Sequence, residues 1–179
     1  MKRILQILIF LIYIVPDSFG QELYYVQENF ERTDSAYYWL TSPIIPNKQW
    51  KYTFGGQWKV GSDPYNPEIP RQGNYNAGLY FPALTLDSVK LISPALELNG
   101  AKKPILRFWH CQYDKIVKGP DFLKLLFRAG PNSPWVVIQK WKNPINTWED
   151  EIFNIADKGT KYLTDTFQFA FEGIIGNGY

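Results

Sequence analysis

Leu91–Tyr113, LISPALELNGAKKPILRFWHCQY, is the stretch that decides the predicted fold. Two extended segments, 91–98 and 105–113, flank a polar break. Pro104 is compatible with the first residue of a strand, because no ladder donor is lost there. Alternate side chains of the second segment face opposite sides, with Leu106 and Phe108 on one side and Ile105, Arg107, Trp109 and Cys111 on the other. Because both faces carry bulky groups, the segment predicts an interior strand of a β-sandwich.

Other short strands recur along the chain, and no strong helical pattern follows the first twenty residues. Residues 122–141 predict a β-hairpin, because two apolar strands flank the turn cluster Gly130–Pro134. Residues 165–173 alternate, which turns Phe167, Phe169 and Phe171 inward. Further strands are predicted at 23–30 and 148–155. The spacing predicts an all-β sandwich of antiparallel strands, in a single domain over 21–179.

The first twenty residues predict a secretory signal peptide. Lys2 and Arg3 begin it, residues 4–15 are mostly apolar, and Ser18 and Gly20 provide small residues before a cut at Gln21. The apolar run is short for a membrane span. The alternative is an uncleaved membrane anchor. Cleavage predicts a secreted or cell-surface protein without a membrane span.

Charge and cysteine content narrow the classes of function. Nineteen basic and 17 acidic residues nearly balance, so no general attraction to nucleic acid is expected. The single cysteine, Cys111, excludes an intramolecular disulfide. Secreted eukaryotic domains of this size often carry disulfides, so their absence favours a bacterial exported protein.

Residues 42–82 predict a long irregular loop, because prolines and glycines recur throughout it. A loop of this length inside a domain is usually functional or disordered, and its aromatic content argues against disorder. Flat rings with nearby amides suit glycan recognition. The predicted ligand-binding residues are Trp50, Tyr52, Trp58, Tyr65, Tyr75 and Asn76. The alternative is that these rings cover the sandwich and hold the loop in place.

The order of motifs resembles the MAM-like jelly-roll domains of exported bacterial proteins, including cleaved-adhesin and choice-of-anchor domains of the Bacteroidetes type. The shared motifs are Phe30-Glu31, 91–96 before Leu106-Arg107-Phe108, the 122–141 hairpin, Asn146-Thr147-Trp148 and 167–173. The resemblance implies a non-catalytic jelly-roll module that binds a glycan or an extracellular protein. It also implies appended domains in a larger protein.

The resemblance carries two further expectations. Such domains continue past the last glycine-rich turn with another strand, so this chain is expected to be truncated or a fragment that lacks its last strand. A cation can lie beside the acid after the opening phenylalanine, which makes Glu31 the candidate calcium ligand. The alternative for Glu31 is a solvated residue at a strand end.

Catalysis has few candidate residues in this sequence. His110 is the only histidine, and its neighbour Cys111 points to the opposite face of a strand, which excludes a simple Cys–His pair. A carboxylate pair for glycan or peptide hydrolysis could come from the neighbours Glu149, Asp150 and Glu151, or from Asp114, Asp121 and Glu172 elsewhere in the chain. The expected function is therefore a non-catalytic, adhesin-like binding module. The alternatives are an exported hydrolase and a structural surface protein that assembles through its β edges.

Overall fold

The computed structural model describes residues 3–14, 25–28, 30, 40–42, 50–54, 71–73, 75–81, 87–112, 122–142 and 145–175. Within these ranges the strands are, in chain order, β1 (Arg3–Ile14), β2 (Tyr25–Glu28), β3 (Leu40–Ser42), β4 (Trp50–Phe54), β5 (Tyr75–Phe81), β6 (Asp87–Ile92), β7 (Pro104–Gln112), β8 (Phe122–Arg128), β9 (Val136–Lys142), β10 (Ile145–Asn154) and β11 (Gln168–Ile175).

The strands form two antiparallel sheets. Sheet I has the order β10-β7-β1-β5-β4, with β2 also paired to β1, and sheet II has the order β3-β6-β11-β8-β9. Two short 3₁₀ turns, Ala156–Lys158 and Thr160–Tyr162, connect β10 towards β11. No helix in the described ranges is long and apolar enough to cross a membrane. The prediction of an all-β sandwich is confirmed, whereas the jelly-roll connectivity stays a prediction.

Alternating aromatic and aliphatic side chains build the core between the sheets. The predicted inward positions Phe167, Phe169 and Phe171 are all buried. Phe108 of β7 is completely buried, and its ring centroid lies 4.8 Å from that of Phe171 across the two sheets. Burying each such ring contributes roughly 1.5–3 kcal/mol relative to its exposure. The alternation of apolar side chains along these strands therefore determines which face of each strand packs against the other sheet.

Residues 91–112 contribute to strands of both sheets. β6 lies in sheet II and ends at Ile92, whereas β7 lies in sheet I and begins at Pro104. Leu96 bridges to Phe167 between them, and Gly100 makes the turn with a φ of 77°. Glycine tolerates this left-handed backbone because it has no Cβ. The polar break is thus the crossing from one sheet to the other.

The predicted hairpin and terminal strands are present. β8 and β9 pair antiparallel within 122–142, with an irregularity between Leu125 and Leu126. β11 begins at Gln168 rather than at 165 and pairs with both β6 and β8. Each boundary differs from its prediction by a few residues, because hydrogen-bonded partners rather than local composition end a strand.

Two short strands, of five and seven residues, interrupt the long loop that the sequence predicts over 42–82. β4 and β5 lie within it and pair from Trp50–Leu79 to Phe54–Tyr75. Both strands fall in windows without proline, between Pro46 and Pro64 and between Pro70 and Pro82. A partner strand supplies the hydrogen bonds that local composition does not reveal.

The apolar segment near the start of the chain forms β1, which lies between β5 and β7 and pairs antiparallel with both. On one side Arg3 pairs with Phe81 of β5, and on the other side Ile14 pairs with Pro104 of β7. A continuous apolar run suits either a signal-peptide core or a strand buried inside a sheet. Cleavage of 1–20 stays a prediction.

Sheet II carries a charged triad on its outward face. Glu172 of β11 accepts hydrogen bonds from Lys90 Nζ at 2.7 Å and from Lys124 Nζ at 2.8 Å. Burial alone raises the pKa of Glu172, but the hydrogen bonds and charges of Lys124 and Lys90 outweigh it, so the pKa lies below its ordinary value. The triad joins three neighbouring strands, β6, β11 and β8.

Candidate functional site

A histidine and two glutamates converge at one flank of the sandwich. β10 pairs with β7 so that Glu149 stands opposite His110 and Glu151 stands opposite Phe108. Directly paired residues project to the same face of a sheet, with their Cβ atoms about 4.5–5.5 Å apart. Because Phe108 faces the core, His110, Glu149 and Glu151 share the inner face of sheet I. The register between the two strands therefore creates the cluster.

The three side chains come within reach of a single ion. His110 Nε2 lies 3.6 Å from Glu151 Oε1, and the ligand atoms of all three residues lie within 4.8 Å of one another. His110 has no exposed surface, the Glu151 side chain is 26% exposed, and Glu149 is exposed. The cluster thus runs from the buried imidazole to solvent.

Two further side chains hold the cluster in place. Trp141, from the edge strand β9 of sheet II, donates its indole N–H to Glu151 Oε1 at 2.7 Å. Its ring also lies 4.7 Å from the His110 ring, centroid to centroid. Gln112 Nε2 lies 3.3 Å from His110 Nδ1. β7 of sheet I and β9 of sheet II therefore both contribute to the position of the imidazole and of the Glu151 carboxylate.

The buried imidazole has an unsatisfied polar atom. Among the described residues, His110 Nε2 and Gln112 Oε1 are buried without a hydrogen-bond partner. A separation of 3.6 Å between Nε2 and Glu151 Oε1 is too long for an ordinary hydrogen bond. Leaving one polar atom buried and unpaired costs about 1–3 kcal/mol. An unsatisfied nitrogen that faces two carboxylates is a feature that folding alone does not require.

Cys111 takes no part in this cluster. It follows His110 in β7 and so projects to the opposite face of the strand, as the sequence predicted. Burial raises the pKa of its thiol well above the ordinary value, which keeps the thiol protonated near neutral pH. Since thiolate is the nucleophile and metal ligand, Cys111 is an inert core residue.

Only some of the predicted glycan-binding residues lie in the described ranges. Trp50 and Tyr52 lie in β4, and Tyr75 and Asn76 lie in β5. Asn76 is only 1% exposed, so its amide lies inside the domain rather than on an open surface. The other predicted positions, Trp58, Tyr65 and the calcium candidate Glu31, lie outside the described residues.

An outward patch on sheet I was not anticipated from the sequence. We define the Trp109 patch as Arg71, Arg107, Trp109, Asp150 and Ile152. The Arg71 and Arg107 guanidinium carbons lie 5.0 and 4.7 Å from the centroid of the Trp109 ring. Arg107 also forms a bidentate ion pair with Asp150, with a shortest N–O distance of 2.6 Å. Beside these charges, Ile152 is 59% exposed.

Two of the acids that could belong to a carboxylate pair, Glu149 and Glu151, take an arrangement that differs from that of a glycosidase. Glu149 and Glu151 lie side by side on one face of β10, whereas Asp150 points outward to Arg107. Glycosidase carboxylates flank the scissile bond from opposite sides. Two acids on the same face of one strand share one ligand more readily than they enclose a sugar.

No protein-family model matches the chain, and comparison with curated proteins found no match.

Proposed function

We propose that this chain is an extracellular, non-catalytic binding module on a β-sandwich scaffold of the jelly-roll type. The Trp109 patch is the observation that carries the proposal. Tryptophan and arginine are enriched among the residues that contribute most to protein–protein binding. Here Trp109, Arg107 and the exposed Ile152 project from one face of sheet I, and Arg71 reaches the Trp109 ring from the segment 71–73.

The chemistry of the patch favours a protein ligand with acidic groups over a glycan. A sugar would stack on an open aromatic face, but two guanidinium groups already lie close to the Trp109 ring. Arg71 is exposed and can pair with a carboxylate of the partner. Ile152 supplies the apolar contact beside it. We infer that an extracellular protein with an acidic segment is the ligand.

Charges on two of the edge strands, β9 and β10, count against assembly through those β edges. β9, at the edge of sheet II, carries exposed Lys140 and Lys142, and β10, at the edge of sheet I, carries exposed Glu149 and Asp150. Charges at an edge disfavour strand addition by another chain. The side-by-side geometry of Glu149 and Glu151 does not support the alternative that the protein is a hydrolase.

Binding of the full chain to an array of extracellular proteins and glycans tests the proposal. Arg71→Glu and Ile152→Asp should each weaken binding to the protein ligand by about tenfold or more, because each removes a contact that is worth roughly 1.4 kcal/mol. Val137→Asp is the matched control, since Val137 is 51% exposed but lies on β9 of sheet II.

Three outcomes would contradict this reasoning. Binding that the two patch variants leave unchanged would remove the Trp109 patch from the site. Binding only to glycans, lost in Trp58→Ala, would place the site at the predicted aromatic residues instead. Turnover of any arrayed ligand would show an enzyme and overturn the non-catalytic assignment.

A further inference from the structure

We propose that His110, Glu149 and Glu151 form a binding site for one divalent transition-metal ion, with zinc as the best fit. The site lies on the inner face of sheet I, at the flank where β10 and β9 are the edge strands of the two sheets. It does not depend on the proposed function, because the Trp109 patch projects from the opposite face of the same sheet.

The distances suit a zinc ion. Ligand atoms that lie about 2.0–2.1 Å from one zinc ion at a tetrahedral angle are roughly 3.3–3.4 Å apart. His110 Nε2 and Glu151 Oε1 are 3.6 Å apart, and the ligand atoms of all three residues are within 4.8 Å of one another. Small side-chain rotations of the exposed Glu149 complete the approach, and water fills the fourth position.

The donor set distinguishes this ion from calcium. Imidazole nitrogen together with carboxylate suits zinc and its neighbours among the transition metals. Calcium takes six to eight oxygen ligands, and a nitrogen donor with two carboxylates falls short of that set. The donor set therefore differs in chemistry from the calcium ligand predicted at Glu31, which lies outside the described residues.

Side chains that can form a second coordination shell lie beside two of the three ligands. A histidine that binds a metal through one nitrogen normally donates a hydrogen bond from the other. In the structure Gln112 Nε2 faces His110 Nδ1 at 3.3 Å. Rotation of the Gln112 amide by 180° would let His110 Nδ1–H donate to Gln112 Oε1 and would leave the Nε2 lone pair for the ion. The indole N–H of Trp141 holds Glu151 Oε1 in the same way.

The burial gradient also supports an ion. His110 Nε2 is buried without a hydrogen-bond partner among the described residues, which is costly unless something binds it. The ion would satisfy that nitrogen and offset the mutual repulsion of the two carboxylates. Exposed Glu149 provides the path by which the ion enters from solvent. A bound ion would link β10 to β7 next to the irregularity between Ile145 and Glu149.

Isothermal titration calorimetry of the metal-free full chain, without a polyhistidine tag, tests the site with Zn²⁺ and with Ca²⁺. We expect one Zn²⁺ per chain, much weaker Ca²⁺ binding, and a rise in melting temperature of about 5–10 °C at a free Zn²⁺ concentration a hundredfold above Kd. X-ray absorption should show nitrogen and oxygen ligands at about 2.0–2.1 Å and no sulfur near 2.3 Å.

Glu149→Gln is the main variant, because Glu149 is exposed and its substitution leaves the core intact. It should weaken Zn²⁺ binding by tenfold or more, since second-shell changes alone cost about 10- to 100-fold. Glu97→Gln is the matched control. Glu97 is an equally exposed glutamate between β6 and β7, and its loss should leave Zn²⁺ affinity unchanged.

Several results would overturn the site. These are the absence of stoichiometric Zn²⁺ binding, equal loss of affinity in Glu97→Gln, or full affinity in Glu149→Gln. A sulfur ligand would assign the ion to Cys111 instead. Calcium binding as tight as zinc binding would show that the imidazole is not a ligand.

Discussion

Trp141 joins the two sheets at the candidate metal site through one hydrogen bond. The contribution of this hydrogen bond to the free energy of unfolding can be worked out from the structure. Its indole N–H donates to Glu151 Oε1 at 2.7 Å. Hydrogen bonds to charged partners contribute about 1.5–3 kcal/mol. The Glu151 side chain is 26% exposed, so solvent competes for it, and we expect a contribution at or just below the lower end of that range, about 1–2 kcal/mol.

The substitution Trp141→Phe removes that donor while it keeps an aromatic ring. The ring of Trp141 packs edge-on against Phe108 and Phe153, at centroid distances of 5.7 and 6.2 Å. Losing part of this ring adds a packing cost that has nothing to do with Glu151. A double-mutant cycle with Glu151→Ala separates the two effects, because the packing cost appears in both backgrounds and cancels.

The assay is urea unfolding of the four proteins in chelator, so that no bound ion contributes to stability. The cycle should give a coupling of about 1–2 kcal/mol between positions 141 and 151. Pairing Trp141→Phe with Glu97→Gln is the control, and these changes should add to within about 0.5 kcal/mol. A coupling between 141 and 151 as small as that control would refute the argument.

Two other predictions concern the scaffold. Because the pKa of Glu172 is lowered in the folded protein, its contribution to stability is present above its unfolded pKa and is lost as pH falls through the lower folded pKa. In Glu172→Gln, urea unfolding at neutral pH should show that the free energy of unfolding falls by about 1–2 kcal/mol, because Lys90 and Lys124 lose their shared partner. This difference from wild type should shrink in acid. A difference that stays constant with pH would contradict the ion-pair account. Phe171→Ala should cost about 3–5 kcal/mol, because the completely buried ring packs against Phe108 and Phe169, whereas Ile152→Ser on the exposed face should change stability by less than about 0.5 kcal/mol. Equal effects of these two changes would show that the inward and outward faces are assigned incorrectly.

The sequence predicted the strands whose own side chains alternate. Phe167, Phe169 and Phe171 point inward because successive side chains of any strand project to opposite faces. The same rule separated Leu106 and Phe108 from Arg107 and Trp109, and it placed His110 and Cys111 on opposite faces. The all-β class and the hairpin predicted at 122–141 follow from such local patterns and from turn residues.

Strands without a clear local pattern could not be predicted without knowledge of the strands with which they pair. β4 and β5 lie in a region rich in proline and glycine, and their pairing supplies the order that composition did not indicate. The apolar run of β1 shows the same limit, since it is compatible with both a signal core and a central strand. Hydrogen bonds between distant segments decide these cases.

Composition and alternation in the sequence determined the fold class and the core faces, whereas tertiary structure alone decided the candidate metal site. Nothing in the spacing of His110 and Glu149 suggests a shared ligand, because 39 positions separate them in the printed sequence. The register of β10 against β7 sets them opposite each other, and Trp141 arrives from the other sheet. Register depends on the total burial and hydrogen bonding of whole strands, so no local motif records it.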